Sequence, residues 1–232
     1  MLKRSILLRA RSLFTKDPNE LLRKVKGVIH VGANTGQEIE LYHKYRLSVV
    51  WIEPIPEVFE TLENNLSGFP GQRAVKGLVT DQDHVEYQFH LASNNGASSS
   101  ILELNLHKDI WPDVSFEKTI QLFSRSLPSL LRENNIGIEG FDMLVMDTQG
   151  SELLVLKGAL PILAHFKYIK TEVPDFESYK GCCQLKDLQS FMDQHGFKEY
   201  SRHRFAKHPG GGSYYDIIYE KSQPEKSQPE KS

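Results

Sequence analysis

Apolar positions in this chain fall into short runs that stop at glycines or acids, separated by stretches in which they recur every three or four residues. The run Val28-Ile29-His30-Val31 stops at Gly32, residues 47–52 stop at Glu53, and residues 141–146 stop at Asp147. A fourth run, residues 168–173, carries Glu172 near its end. Uninterrupted apolar runs of this kind suit strands buried on both faces of a parallel sheet. Between them, Ile39, Leu41 and Tyr42 predict a helix over residues 37–45, after a short one at 20–26. Val58, Phe59, Leu62 and Leu66 predict another beyond Pro54 and Pro56. Leu153, Leu154, Leu156 and Leu160 predict a further helix, with Gly158 inside the pattern and Pro161 after it. Leu185, Leu188, Phe191 and Met192 mark one more, closed by Gly196. Residues 73–79, 85–91 and 118–124 read as strands and 127–134 as a short helix, while 102–115 show no clear period. Residues 197–204 and 213–220 predict a closing antiparallel pair around the turn Lys207-His208-Pro209-Gly210-Gly211-Gly212. Strands alternating with helices define an α/β fold with a mostly parallel sheet.

Three regions follow from this pattern: a basic amphipathic extension over residues 1–26, one domain over 27–221, and a tail over 222–232. In the tail, Ser222-Gln223-Pro224-Glu225-Lys226 recurs as Ser227-Gln228-Pro229-Glu230-Lys231, a charged repeat with nothing to bury and therefore expected to be disordered. The composition of the whole chain, 39% hydrophobic and 25% charged, is that of a soluble globular protein. A net charge of -2 gives no electrostatic reason to expect nucleic acid. The cysteines, Cys182 and Cys183, are adjacent, which suits neither an ordinary bridge nor a zinc site and points to a reducing cytoplasm. No apolar run reaches the roughly 18–20 residues that span a bilayer. In residues 1–14, Lys3, Arg4, Arg9 and Arg11 alternate with Leu2, Ile6, Leu7, Leu8, Leu13 and Phe14, in a pattern too broken for a signal peptide. Two readings of that segment stand open. It packs on its own domain or on a second subunit as a homodimer contact, or it lies on an anionic membrane surface as a peripheral anchor.

The chemistry converges on one edge of the expected sheet. Gly32, Glu53, Asp147 and Glu172 all fall at carboxyl ends of strands, where open α/β sheets bind ligands. Gly32 and Gly36 allow positive φ and a close backbone approach, and Glu53 stands 21 positions after Gly32, where a carboxylate can accept both hydrogens of a ribose diol. A dinucleotide turn would need glycines where Asn34 and Gln37 stand, and no lysine follows Gly36 to make a phosphate loop. A nucleoside cofactor without phosphates is therefore favoured, and S-adenosylmethionine is the common one. Asp147, Glu172 and His107 are the candidate bases. Their alternatives are a helix N-cap for Asp147, a sheet-edge salt bridge for Glu172 and ordinary packing for His107. Residues 93–100, with Asn94, Asn95, Ser98 and Ser99, are too polar for a core; together with Gln149 they suit contact with a polar acceptor, against the alternative of a solvated loop. No metal-ligand spacing is present.

The motifs together resemble the FkbM-type S-adenosylmethionine-dependent methyltransferases. The resemblance rests on residues 30–38 (His-Val-Gly-Ala-Asn-Thr-Gly-Gln-Glu), on Trp51-Ile52-Glu53-Pro54-Ile55-Pro56 and on the loop 93–100. It continues through residues 144–153 and 156–159 to Lys170-Thr171-Glu172-Val173, in the family's order across roughly residues 27–220. It implies a Rossmann-like class I methyltransferase fold with a seven-stranded sheet, an antiparallel last strand and helices on both faces. It also implies methylation of a hydroxyl on a sugar, polysaccharide or related natural product. Carried over by position, Gly32, Ala33, Asn34, Thr35 and Gly36 line the methionine part of the cofactor, with His30 at its rim. Glu53, followed by Pro54, holds the ribose, and Asp147 faces the cofactor amine or the acceptor hydroxyl. Two positions depart from the pattern: His30 stands where many methyltransferases have an acid, and Pro128 follows Ser126-Leu127 where relatives have an aspartate. N-methylation and a catalytically silent cofactor-binding subunit are the alternative functions.

Overall fold

Burial of every residue from Gly27 to Val31 fixes where the sheet grows from. In the computed structural model, which describes residues 21–222, the strands are β1 (Gly27–Val31), β2 (Ser48–Glu53), β3 (Gln72–Lys76), β4 (Leu78–Val79) and β5 (Glu86–Ala92). They continue with β6 (Phe116–Arg125), β7 (Met143–Met146), β8 (Tyr168–Pro174), β9 (Phe197–Lys207) and β10 (Ser213–Lys221). The helices are α1 (Ile39–Lys44), α2 (Pro56–Asn65), α3 (His107–Ile110), α4 (Leu127–Glu133), α5 (Glu152–Gly158), α6 (Leu160–Leu163) and α7 (Leu185–Gln194). Seven strands form the main sheet in the order β3-β2-β1-β7-β8-β10-β9. Pairing is parallel from β3 to β8, and the last strand in sequence, β10, runs antiparallel to both its neighbours. The class of fold and the inverted last strand are those the sequence led us to expect.

Each face of the sheet has its own core. Ile29, Val31, Ile52, Leu144, Met146 and Ile169 pack with residues of α4, α5 and α7. On the other face Val28, Trp51, Met143 and Val145 pack with Ile39 and Tyr42 of α1 and Leu62 of α2, joined by Leu21, Leu22 and Val25. Residues 1–14, for which the sequence offers a lipid-facing or subunit-facing helix, lie outside the described residues, as does nearly all of the tail.

The structure departs from the sequence reading in three places. Residues 73–79 do not make one strand: the chain breaks at Gly77, so β3 joins the main sheet while β4 joins a second, three-stranded sheet ordered β4-β6-β5. A Cβ on Gly77 would lie 2.9 Å from a Leu130 methyl, so the chain passes close over α4 at this break. The unpatterned residues 102–115 contain α3 and a bridge from Leu104 to Tyr179, contacts that local periodicity cannot show. The helix after residue 151 ends at Gly158, and Pro161 falls in the first turn of α6.

Gly158 sits inside a helical pattern because a neighbouring backbone occupies the place of its side chain: a Cβ would lie 2.1 Å from the carbonyl oxygen of Thr80. Alanine would favour the helix by about 1 kcal/mol, but overlap with backbone cannot be relieved by a rotamer change. Gly158→Ala is therefore expected to lower the unfolding free energy by about 1–3 kcal/mol, read from urea denaturation. An unchanged midpoint would show that α5 shifts without cost.

Candidate active site

The turn after β1 places a backbone donor over the end of β2. Gly32 and Asn34 both have positive φ, +79° and +47°. This conformation aims the Asn34 N–H at Glu53 Oε2, 2.8 Å away, while Glu53 Oε1 accepts the N–H of Ile55 at 2.9 Å. Glu53 is only 3% exposed. Burial raises its pKa to about 7, against the pull of the two N–H groups and with a further push from Asp147. Asn34 also ties the turn together: its Oδ1 accepts the N–H of Thr35 and the Nε2 of Gln37, and its Nδ2 donates to the carbonyl of Asn95. An asparagine thus does here what a glycine cannot, by bonding two turns to each other.

Gly36 differs from the sequence expectation. It has φ of +80°, but the space of its missing side chain is filled by Ile39 and Leu62, so it serves packing and does not line the site. Ala33 likewise is buried behind the turn in the core with Val28 and Trp51. His30, Gly32, Asn34, Thr35, Glu53 and Pro54 line a cavity of about 1100 Å³ that runs along the carboxyl edge of the sheet, and Asp147, Gln149 and Glu172 line it too.

The two ends of the cavity differ in chemistry. Ile55, Val58, Leu78, Val79 and Phe89 make one end apolar. At the other, His30, Lys170, Glu172 and Asp216 come from β1, β8 and β10, joined by His203 and Arg204 of β9. His30 stacks on Trp51, with ring centroids 4.9 Å apart, and its Nδ1 meets the Tyr42 hydroxyl at 3.5 Å. Burial and then the Lys170 charge lower its pKa to about 3, so the imidazole is neutral at neutral pH. Lys170 pairs with Asp216 at 3.2 Å. Burial opposes its charge, yet Asp216, Glu172 and Glu38 hold the ammonium above its ordinary pKa.

Asp147 is fixed by the turn after β7. Its N–H donates to the carbonyl of Val31, and its Oδ1 accepts from Gln149 Nε2. The N-cap alternative is excluded, because α5 begins only after Ser151. Gln149 has φ of +54° and is held twice more, by the Tyr179 hydroxyl on its Oε1 and the Ser100 hydroxyl on its carbonyl, both at 2.8 Å.

The polar loop at residues 93–100 is not a solvated loop: Ser98, Ser99 and Ser100 are buried. Asn94 holds Ser98 through its N–H and its hydroxyl, and Ser99 Oγ accepts the N–H of Ala92. Asn94, Asn95 and Ser99 line the cavity, whereas Ser98 turns away and meets His107 Nε2 at 3.3 Å. His107 does not line the cavity either. It is 2% exposed, packed against Trp111, Tyr179 and Tyr214, and Trp111 is the ring that faces the site.

Sequence reasoning missed Lys170, Asp216, His203, Arg204 and Trp111. Lys170 had a readable signal, since it precedes Glu172 by two and so shares its face of β8. The others arrive through hairpin register or an irregular segment. Among the described residues no group of three His, Cys, Asp or Glu is arranged to hold a metal ion, and no helix is long and apolar enough to cross a membrane.

Three comparisons bear on this arrangement. The sequence matches the model of the family described as "Methyltransferase FkbM domain" over residues 30–199. The 2-O-methyltransferase NoeI of Sinorhizobium fredii is 25% identical over 173 residues, covering 71% of this chain and 70% of that protein. Among solved structures, M. capricolum TrmK in complex with S-adenosyl-homocysteine superposes with a TM-score of 0.51 at 9% identity, over 91% of this chain and 70% of that one, a likeness of fold.

The buried neutral His30 has a consequence for stability. The unfolded chain takes up a proton near pH 6.5 and the folded one does not, so His30 favours folding above that pH and loses this contribution as pH falls toward 3. Between pH 7 and 5, about 2 kcal/mol of stability is expected to be lost through this group. The loss should be absent from His30→Phe; parallel stability curves for the two proteins would mean that His30 is protonated in the folded state.

Proposed function

The chain belongs to the FkbM methyltransferase family, and from that premise we propose that it transfers the methyl group of S-adenosylmethionine to a hydroxyl of a sugar, a polysaccharide or a related natural product. The observation that carries this reading is the Glu53 carboxylate, held by two backbone N–H groups in the same cavity as Asp147. Each Glu53 oxygen keeps a lone pair beyond its backbone bond, which suits the two hydroxyls of a ribose. The apolar pocket of Ile55, Val58, Leu78, Val79 and Phe89 beside it suits a purine ring.

Six acids line the cavity, Glu38, Glu53, Glu57, Asp147, Glu172 and Asp216, against the cations Lys170 and Arg204. That balance favours a cationic cofactor over a phosphorylated one. When bound, S-adenosylmethionine supplies a methyl group already activated on a sulfonium sulfur. The protein's work is then alignment and removal of one proton. Asp147, in the middle of the edge and steadied by Gln149, would take up the proton that the acceptor hydroxyl gives up. Glu172 shares its end of the cavity with the Lys170–Asp216 pair and acts as a fixed charge. Asn94, Asn95 and Gln149 offer amide groups for a polyhydroxylated acceptor. Transfer to oxygen rather than nitrogen is supported by NoeI, which is described as a 2-O-methyltransferase.

Calorimetry with S-adenosylmethionine and S-adenosylhomocysteine tests the reading, which fails if the protein binds neither. Because the ionised carboxylate is the better acceptor for the diol, affinity should strengthen as pH rises through about 7. In Glu53→Gln it should be weaker by about 10- to 100-fold and flat with pH. Asp147→Asn should keep its affinity while kcat falls by about 100-fold or more; a parallel loss of affinity and kcat would assign Asp147 to the cofactor instead.

A further inference from the structure

We propose that Glu152 is a positioning residue of this site, clamping the turn between β7 and α5 so that Asp147 and Gln149 face the acceptor. The inference rests on the methyltransferase reading and adds to it a residue that does not line the cavity. Glu152 opens α5 and is 1% exposed. Its Oε1 accepts three hydrogen bonds, from the N–H of Thr148, the hydroxyl of Thr148 and the N–H of Gly150, each at 3.1 Å. Both N–H groups flank Gln149, whose carboxamide in turn donates to Asp147. One buried carboxyl oxygen therefore fixes the residues on either side of the one that holds the proposed base.

The turn needs such a clamp. Gln149 and Gly150 adopt successive positive φ angles, +54° and +102°. The left-handed conformation costs a non-glycine residue roughly 1 kcal/mol, and it persists only where surrounding bonds over-determine it. Glycine at 150 cannot be replaced, because a Cβ there would lie 2.9 Å from that of Cys182.

The other oxygen, Oε2, is buried without a hydrogen-bond partner. A buried carboxylate would place a charge there with no donor on that atom and with Asp147 nearby. A proton relieves this conflict, and burial, aided by Asp147, raises the pKa of Glu152 to about 7. The other titratable groups around it, Tyr179, Tyr214 and Cys183, are all held in their protonated forms by burial. The clamp thus requires an acceptor oxygen at Oε1 and no charge at Oε2.

Glutamine supplies that arrangement, and alanine removes it. Glu152→Ala is expected to lower kcat by about 10- to 100-fold, the scale of a misplaced catalytic group, with affinity for S-adenosylhomocysteine within about twofold of the parent. Glu152→Gln should return kcat to within about threefold. Hydrogen exchange at the Thr148 and Gly150 amides should be fast in the alanine variant and slow in the glutamine one. That readout needs no methyl transfer, so it separates failure of the clamp from failure of the functional reading. The proposal is overturned if folded Glu152→Ala keeps its kcat, if its cofactor affinity falls in step with kcat, or if the two amides stay protected. Should the alanine variant fail to fold, a loss of more than about tenfold in Glu152→Gln overturns it alone.

Discussion

The approach of β1 to β7 at Gly32 is the constraint on which the carboxyl edge of the sheet depends. A Cβ at residue 32 would lie 1.9 Å from the carbonyl oxygen of Asp147, so these two strand ends meet only through a glycine. The Val31 carbonyl accepts the Asp147 N–H, and the Ile52 carbonyl accepts that of Gly32. The chain leaves β1 toward β2 on one side, while β7 lies on the other. Here the connections diverge and open a crevice. The buried Glu53 at the end of β2 and the proposed base at the end of β7 face one cavity because Gly32 lets the strands between them close up.

How much of this was legible in the sequence follows from which contacts are local. Parallel strands buried on both faces leave an unbroken apolar run, so β1, β2, β7 and β8 and the residues at their ends, Gly32, Glu53, Asp147 and Glu172, could be read directly. The short β4 could not, because its separation from β3 is set by partners in two different sheets, β2 for β3 and β6 for β4, and not by the local pattern. Gly36 was misjudged for a related reason. Positive φ shows that a glycine is required, but only the positions of Ile39 and Leu62 show that packing requires it. His107 was a candidate base because its segment was expected to cover the site, yet Trp111, Tyr179 and Tyr214 close around it.

Protonation in this region is governed by burial rather than by ion pairing. Glu53 and Glu152 are both raised to about 7 and His30 is lowered to about 3, so all three favour neutral forms. Desolvation and the shared neighbour Asp147 act in the same direction on the two glutamates. Lys170 is the exception, kept charged by Asp216, Glu172 and Glu38. A site built this way limits the number of uncompensated buried charges while keeping carboxyl groups at the places where a sulfonium and a hydroxyl proton would have to be met.

The two turns at the edge are held by different means but share one neighbour, the loop at residues 93–100. The turn after β1 is fixed by backbone geometry, by the N–H of Asn34 on Glu53, by packing under Gly36 and by the Asn34 side chain on the carbonyl of Asn95. The turn after β7 is fixed by side chains, two of them from remote segments, Ser100 of the polar loop and Tyr179 of the segment after β8, and one from the adjoining α5, Glu152. Replacing residues 175–184 would remove the Tyr179 support of Gln149 and leave the Asn34–Glu53 pair untouched, whereas residues 93–100 reach both turns, through Asn95 on Asn34 and Ser100 on Gln149. The loop at residues 93–100 thus couples the two turns, so a change in that loop would be felt at the end of β1 and at the end of β7 together, whereas a change at Tyr179 would be felt after β7.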